Sequence, residues 1–163
     1  MNRPHLYRLD LPAKPEPLVP RRLRAEVSER IGPDGSVLAA LELAELPEII
    51  RHFRNEGVES VAICLLHAYA NPAHEQALRL ALTPHFPYVS VSSEINAEFR
   101  EYERTCTTVL NAAVMPLAAR YVDDLVARLA AGTGAVPLHL LHSAGGMMSV
   151  DAARARSSRI DPP

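Results

Sequence analysis

The sequence of 163 residues has no tryptophan, only two cysteines and only seven glycines, and these shortages exclude several classes of protein. Cys64 and Cys106, which form no CxxC pair, are too few for a disulfide-stabilised secreted domain and favour a reducing, cytoplasmic location. Seven glycines exclude a collagen-like chain. The longest wholly apolar run, Val61 to Leu66, is much shorter than the ~20 residues that span a bilayer, and no apolar signal segment follows the first residues. We therefore expect no membrane partner and no export by an evident signal.

The sequence also lacks an excess of charge of either sign. Lysine and arginine together number 17 against 19 for aspartate and glutamate, a formal net charge of −2. Because nucleic-acid binding depends on concentrated positive charge, we expect no nucleic-acid partner. Hydrophobic residues make up 48% and charged residues 22%, which is typical of one globular domain of ordinary size.

Residues 1–21 predict an extended, proline-rich arm. Each proline removes a backbone donor and biases the residue before it toward extended geometry, so this segment cannot be a helix. The prolines are Pro4, Pro12, Pro15, Pro17 and Pro20. We expect the arm to pack against a surface outside this chain, and a solvated linker fits the same composition.

Residues 22–57 predict a β-hairpin followed by a helix. Apolar and polar residues alternate over residues 22–28, which indicates a half-buried strand, and a turn at residues 32–35 leads to a second strand at Ser36 to Leu38. Apolar residues then recur at helical spacing from Leu43 to Phe53, and Gly57 is a typical helix stop.

Residues 58–91 predict a strand, a helix and a parallel strand. Val58 to Leu66 is apolar on both faces from Val61 onward, as in a central strand that is covered on two sides. A helix then follows Pro72 and runs to Leu82, before a shorter strand at Tyr88 to Val91. We therefore assign the chain to the α/β class.

Beyond Ser93 the pattern is helical for about forty residues. One apolar stripe predicts the buried face, and Pro116 is expected to kink the helix or start a new one, which gives a helix pair. The stripe consists of Cys106, Leu110, Ala113, Leu117, Tyr121, Leu125 and Leu129. A third strand, Leu138 to Leu141, follows, and a turn at residues 144–146 leads to a short helix from about Ser149.

Polar residues follow each of the three predicted strands. Ligands of parallel α/β sheets bind beyond the carboxyl ends of the strands, so these loops form one site if all three strands are parallel in one sheet. The residues are His67, Tyr69, Asn71 and His74 after the first strand, Ser92, Ser93 and Glu94 after the second, and His142, Ser143, Gly145 and Gly146 after the third.

Local structural roles compete with this hypothesis. His67 and His74 are seven residues apart with a proline between them, unlike a helical zinc pair, so we predict no metal site and favour local hydrogen bonds for both rings. Asn71 fits a turn or the start of a helix. Gly145 and Gly146 allow an anion to approach the backbone closely, or simply form a tight turn before a helix.

A polar face on the long helical segment is a further candidate. Glu101, Thr105 and Thr108 share one side at spacings of four and three residues, and Arg104 lies four residues before Thr108. Such a face lines a cavity, meets another domain or is exposed to solvent.

Four motifs in order resemble the hydantoinase A and 5-oxoprolinase family. They are residues 65–75 (LLHAYANPAHE), 92–95 (SSEI), 101–105 (EYERT) and 143–149 (SAGGMMS), and the opening residues 15–21 (PEPLVPR) are similar as well. Together these segments extend the resemblance over nearly the whole chain.

The resemblance implies a partial actin-like ATPase fold and an ATP-dependent hydrolase that opens cyclic amides such as 5-oxoproline, hydantoin or N-methylhydantoin. Relatives include acetone carboxylase subunits. The implied mechanism phosphorylates the ring carbonyl oxygen and then hydrolyses the activated amide, with ATP and a divalent cation as cofactors. The implied partners are the remaining domains of a hydantoinase A subunit and a hydantoinase B-type subunit.

The resemblance also divides the chain and suggests site residues. It implies that residues 22–100 end an N-terminal domain of the family and that residues 101–163 begin the hydantoinase A domain. The candidates for catalysis are His67, Asn71, Glu101, Arg104 and Thr105, and those for nucleotide binding are Ser143, Gly145, Gly146 and Ser149. No residue is assigned to a metal.

Two phosphate-binding loops of the family, of the types Asp-x-Gly-Gly-Thr and Ser-Gly-Pro-Ala, are not found in this sequence. We therefore expect an internal fragment of such an enzyme that binds no cofactor and is inactive alone. The alternatives are a truncated module that docks on a full-length homologous subunit, and a small-molecule binder without chemistry.

Overall fold

A computed structural model of the chain describes residues 17–133, 138–141 and 146–150. Within these ranges a 3-10 turn, Arg21–Leu23, comes before ten helices and strands. In chain order these are β1 (Arg30–Ile31), β2 (Val37–Ala39), α1 (Leu46–Asn55), β3 (Ser60–Ile63), α2 (Ala73–Leu82), β4 (Tyr88–Val91), α3 (Ser92–Ile95), α4 (Glu101–Thr133), β5 (His139–Leu141) and β6 (Met147–Ser149). The predicted arm of residues 1–21 lies mostly outside the described residues.

The first hairpin forms from β1 and β2, which pair antiparallel around the turn of residues 32–35. Asp34 accepts hydrogen bonds from the backbone N–H and the hydroxyl of Ser36, and these bonds close the turn. The prediction of a strand at residues 22–28 is wrong. Leu23 N–H donates to Pro20 O at 2.9 Å, so residues 21–23 form a 3-10 turn, and residues 24–29 belong to no strand or helix.

Strands β3 and β4 pair in parallel with Val61 opposite Val89, and α2 connects them, which confirms the predicted strand, helix and strand. β3 ends at Ile63 rather than at Leu66. The reason is that the peptide groups of Leu65 bond to two side chains instead of a neighbouring strand. Within the described ranges β4 is the one strand beside β3, so the predicted central position of β3 is not observed there.

Helices cover both faces of this two-stranded sheet. Val61, Ile63 and Val91 point to one face, where they pack with apolar residues of α1 and α2 in the hydrophobic core. Ser90 precedes Val91 and therefore points to the opposite face, because side chains alternate along a strand. Its hydroxyl accepts a hydrogen bond from Asn111 of α4 at 2.8 Å. The order of layers is thus α1 with α2, the sheet, and α4.

Helix α4 is one continuous helix of 33 residues that contains Pro116, so the predicted helix pair is wrong. Proline removes a single backbone donor, and the neighbouring turns of a long helix retain their hydrogen bonds. The predicted buried stripe is also wrong for three of its large members, because Leu110, Leu117 and Tyr121 are 57%, 62% and 67% exposed, whereas Leu125 and Leu129 are half-buried. The residues of α4 that face the sheet are instead mostly small or polar: Arg104, Thr108, Asn111, Ala112, Met115, Ala119 and Val122.

Strands β5 and β6 pair antiparallel in a sheet of their own. The third predicted strand therefore does not extend the parallel sheet of β3 and β4, and the three predicted loops do not meet at one parallel edge. Gly146 precedes β6, so Ser149 is a strand residue, and the predicted short helix lies outside the described residues except for Val150. No helix among the described residues is long and apolar enough to cross a membrane.

Candidate functional site

Two buried charged side chains hold the peptide groups of Leu65 just beyond the carboxyl end of β3. The first is Glu75, which lies in the first turn of α2 and is fully buried. Its carboxylate accepts three hydrogen bonds, from Leu65 N–H at 2.8 Å, Ser92 hydroxyl at 2.6 Å and Ser93 N–H at 2.9 Å. Glu75 thereby joins the end of β3 to the start of α3.

The second is Arg104 of α4, which is 1% exposed. Its Nη2 donates to Leu65 O at 2.7 Å, and its guanidinium carbon lies 5.7 Å from the centre of the Tyr69 ring. Nε and Nη1 are buried and have no hydrogen-bond partner. Guanidinium groups carry five N–H donors and are rarely buried without partners, so Arg104 has unused capacity for oxygen acceptors.

His67 follows Leu65 in the same loop and adopts a left-handed backbone with φ of +57°, which is uncommon for a residue with a side chain. Its Nδ1 lies 2.8 Å from Ile31 O. A carbonyl oxygen can only accept, so Nδ1 carries the proton and, in the neutral ring, Nε2 carries the lone pair. The ring meets Tyr69 edge to face at 6.0 Å between ring centres, so the Tyr69 ring contacts both His67 and Arg104.

Asn71 and His74 join the start of α2 to the region of the first hairpin. Asn71 Nδ2 donates to Gly35 O at 2.9 Å, and its Oδ1 accepts from Ala73 N–H at the start of α2. His74 Nδ1 lies 2.8 Å from a carboxylate oxygen of Glu29. The bond between Ala73 and Asn71 fits the predicted turn before α2. The rings of His67 and His74 do not bond locally as expected, because their partners lie 36 and 45 residues earlier in the sequence. Among the described residues no group of three or more His, Cys, Asp or Glu side chains is arranged to hold a metal ion.

The other candidates on α4 occupy different environments. Glu101 is exposed at the first position of the helix, whereas Thr105 is half-buried. Thr105 lies near Cys64, whose pKa burial raises to about 11, while hydrogen bonds from Thr108 and Thr105 oppose that increase. The structure therefore places Arg104 and Thr105 beside the end of β3, and it leaves Glu101 at the surface.

Only part of the predicted nucleotide-binding set can be placed. Ser143 and Gly145 lie outside the described residues. Gly146 and Ser149 are exposed in the β5–β6 hairpin, apart from the parallel sheet. Gly146 has φ of +95°, and a Cβ atom added to it would meet no atom within 4 Å. Glycine is required there by the backbone conformation rather than by a close neighbour.

Sequence reasoning missed Glu75 as a site residue. A signal for its burial is present, because Glu75, Leu78 and Leu82 are spaced by three and four residues and all three are buried on one side of α2. An acidic residue on the apolar face of a helix indicates a buried acceptor.

Family models match two regions of the chain. A model of the hydantoinase/oxoprolinase N-terminal region matches residues 1–86, and a hydantoinase/oxoprolinase model matches residues 104–160. An uncharacterized protein of Methanocaldococcus jannaschii is 38% identical over 94% of this chain and 23% of its own length. The caprolactamase alpha subunit of Pseudomonas jessenii is 36% identical over 80% of this chain and 19% of its own length.

Two solved structures have a similar fold. The ATP-dependent caprolactamase from Pseudomonas jessenii gives a TM-score of 0.66 at 37% identity over 76% of this chain and 18% of that chain. A nucleotide-free acetone carboxylase also gives 0.66, at 24% identity over 88% of this chain and 21% of that chain, which supports the fold alone. The chain thus spans about a fifth of the length of these relatives. The matched regions confirm the resemblance found in the sequence, and the chain belongs to the hydantoinase/oxoprolinase family.

Proposed function

We propose that this chain forms part of the A-type component of an ATP-dependent enzyme that opens a cyclic amide. Family membership supports the proposal, as do the names of relatives, which include a caprolactamase and a 5-oxoprolinase of Arabidopsis thaliana that is 27% identical over 63% of this chain. Caprolactam and 5-oxoproline are both cyclic amides. The partial actin-like ATPase fold, the remaining domains of the A-type subunit and a B-type partner subunit belong to this proposal.

The observation that carries the proposal is the unused hydrogen-bonding capacity of Arg104 beyond the carboxyl end of β3. An amide carbonyl is a poor electrophile, and phosphorylation of its oxygen places negative charge on the group that must leave. A guanidinium that is already desolvated stabilises such charge without reorganising solvent. We assign Arg104 the binding of an oxygen of the substrate or of the phosphoryl group through Nε or Nη1; both atoms are buried in this structure, so the assignment requires the loop after β3 to move aside.

Residues around Arg104 take supporting roles in this proposal. Glu75 fixes the Leu65 peptide and thereby the start of the loop, and Asn71 holds the end of the loop against the first hairpin. His67 presents Nε2 as a proton acceptor because Ile31 O fixes the proton on Nδ1. Thr105, Glu101 and the glycine turn remain candidates for contacts to substrate or nucleotide.

ATP supplies the phosphoryl group in this proposal. The guanidinium of Arg104 suits phosphate oxygens, since arginine donates readily to oxyanions. Among the described residues no cluster of His, Cys, Asp or Glu side chains is arranged to hold a divalent cation.

The test uses the chain assembled with segments that complete an A-type subunit and with a B-type subunit. We expect ATP hydrolysis that depends on a lactam, and we expect the chain alone to have none. In the assembly, Arg104→Lys should lower turnover and Arg104→Met should abolish it, whereas Arg79→Met, which breaks a surface ion pair with Glu94, should leave turnover unchanged. Full activity of folded Arg104→Met would refute the role of this site. An assembly without any lactam-dependent hydrolysis would favour the alternative of a docking module.

A further inference from the structure

The loop after β3, residues 66–72, contributes the ring that covers the guanidinium group of Arg104. The centre of the half-buried Tyr69 ring lies 5.7 Å from the guanidinium carbon. Arg104 is 1% exposed, and its buried Nε and Nη1 have no partner within the described residues. An oxygen ligand therefore reaches these two donors only after a covering group moves, and Tyr69 is the side chain in contact.

This loop contributes little to the hydrophobic core, although both of its ends are fixed. Of residues 66–72 only Ala68 is buried, and none belongs to the group of apolar side chains that packs around β3 and α2. Before the loop, Leu65 N–H is held by Glu75, and after it α2 begins at Ala73. Segments with few buried apolar contacts open locally at a lower cost than the core. Opening of this loop therefore leaves the sheet and α2 intact.

Polar contacts with the first hairpin and the residue before it hold the loop in place. Nδ1 of His67 lies 2.8 Å from Ile31 O. Just after the loop, Nδ1 of His74 lies 2.8 Å from a carboxylate oxygen of Glu29, and these two side chains are 12% and 7% exposed. The amide of Asn71 donates to the hairpin turn between these two contacts. The position of the loop therefore depends on the hairpin.

Backbone strain at His67 opposes these contacts. Its φ of +57° lies in the left-handed region, which is unfavourable for a residue with a side chain. Such a conformation persists only while the surrounding structure enforces it, and it is common in segments that switch between two states. Loss of the bond to Ile31 O therefore lets the loop relax to another path.

We propose that the loop after β3 is a lid on Arg104 and that the first hairpin holds this lid closed. The structure described here is the closed state. In the open state Tyr69 leaves the guanidinium group, and Nε and Nη1 donate to an oxygen of the substrate or the phosphoryl group; this ligand rests on the proposed function. A ligand that bonds to these donors only in the open state shifts the loop toward that state.

Labelling of arginine measures the opening without any ligand. Phenylglyoxal reacts with accessible guanidinium groups, and peptide mass spectrometry gives the rate at each arginine. In the folded wild-type chain, Arg104 should react slowly at a rate that low concentrations of urea do not change, because local opening exposes little surface. Arg79, whose side chain is 46% exposed, is the internal reference and should react fast. An Arg104 rate that rises with urea as steeply as global unfolding, or that equals the Arg79 rate, would overturn the proposal.

Variants test the cover and the hairpin contact separately. Tyr69→Ala should raise the Arg104 labelling rate by about tenfold, because the ring contact is lost. Tyr121→Ala is the matched control, since Tyr121 is 67% exposed on the other side of α4, and it should not change the rate. Glu29→Ala should raise the rate by about fivefold, the effect of one lost hydrogen bond. Glu29→Gln, which keeps an acceptor for His74, should raise it less.

Urea unfolding of each variant shows that it folds and separates local opening from a change in global stability. A folded Tyr69→Ala with the wild-type rate contradicts the cover, and a folded Glu29→Ala with that rate contradicts the role of the hairpin. The proposed function fails separately. If Arg104→Met abolishes turnover of the assembled enzyme but Arg104 is labelled only through global unfolding, the lid is wrong. If the loop opens as expected but folded Arg104→Met keeps full activity, the lid stands and the proposed role of Arg104 is wrong.

Discussion

Replacing Glu75 by glutamine should destabilise the fold more than any other single Glu→Gln change among the described residues. Glutamine retains one oxygen, which can accept from Leu65 N–H and the Ser92 hydroxyl, but its NH2 group then faces Ser93 N–H. A buried donor without an acceptor costs about 1–3 kcal/mol. Hydrogen bonds to a charged acceptor are also about twice as strong as neutral ones, so the two retained bonds weaken.

One effect opposes this loss of stability, because burying a neutral amide costs less free energy than burying a carboxylate. This gain is smaller here, since the substitution also removes the negative charge near Arg104, which bonds to the carbonyl oxygen of Leu65. We therefore expect Glu75→Gln to lower the free energy of unfolding by about 2–4 kcal/mol, and Glu75→Ala, which removes all three bonds and leaves a cavity, by about 4–5 kcal/mol.

Urea denaturation followed by circular dichroism measures this loss, and a thermal scan should show about 2–4 °C for each kcal/mol in a chain of this size. Glu94→Gln is the matched control. Glu94 accepts from Gln76 and Arg79 at the surface, so its loss should cost less than about 1 kcal/mol. If Glu75→Gln and Glu94→Gln have the same stability, the carboxylate of Glu75 does not hold the loop and the reasoning fails.

Three further changes test other features. Gly35→Ala should lower the free energy of unfolding by about 1 kcal/mol more than Gly57→Ala. Both glycines have positive φ, but only at Gly35 would a Cβ atom lie 3.2 Å from a backbone oxygen. Urea unfolding measures the difference, and equal losses of stability would contradict it. His67→Asn should preserve stability to within about 1 kcal/mol, since asparagine tolerates the left-handed backbone and can still donate to Ile31 O, whereas His67→Ala should cost about 2 kcal/mol; thermal scans that rank the two in reverse would refute this. The pKa of Cys64 rises from 9.0 to about 11 on folding. The unfolded chain therefore loses this proton first, so stability should fall between these pH values, and Cys64→Ser should show a smaller fall in urea titrations at high pH.

The parallel unit was predictable because its signals are local. The apolar run from Val61, the proline before α2 and the helical spacing to Leu82 all lie within one short segment, and each agrees with its neighbours. The end of β3 was not predictable in the same way, because it depends on contacts that are distant in sequence. β3 stops where the N–H and C=O groups of Leu65 bond to Glu75 and Arg104, which lie 10 and 39 residues away.

The buried side of α4 was not predictable from helical spacing alone. Two stripes run along this helix, and spacing favoured the one with larger side chains. The sheet presents small residues such as Ala62 and Ser90 to α4, so the stripe with Ala112 and Ala119 approaches it instead. The candidate site was partly predicted, since the sequence pointed to the loop after β3 and to Arg104. It could not show that Arg104 is buried, because a charged residue by itself indicates exposure.

Glu75 and Arg104 both bond to the backbone of Leu65, so the two family regions of this chain depend on each other structurally. Glu75 belongs to the region matched over residues 1–86, and Arg104 belongs to the region matched over residues 104–160. Each holds one backbone group of the same residue, Leu65, at 2.8 Å and 2.7 Å. A chimera of two relatives joined between residues 86 and 104 therefore takes the loop after β3 from one parent. It takes Arg104, which bonds to that loop, from the other. Such regions cannot be exchanged as independent modules unless both parents supply the same backbone path at this peptide.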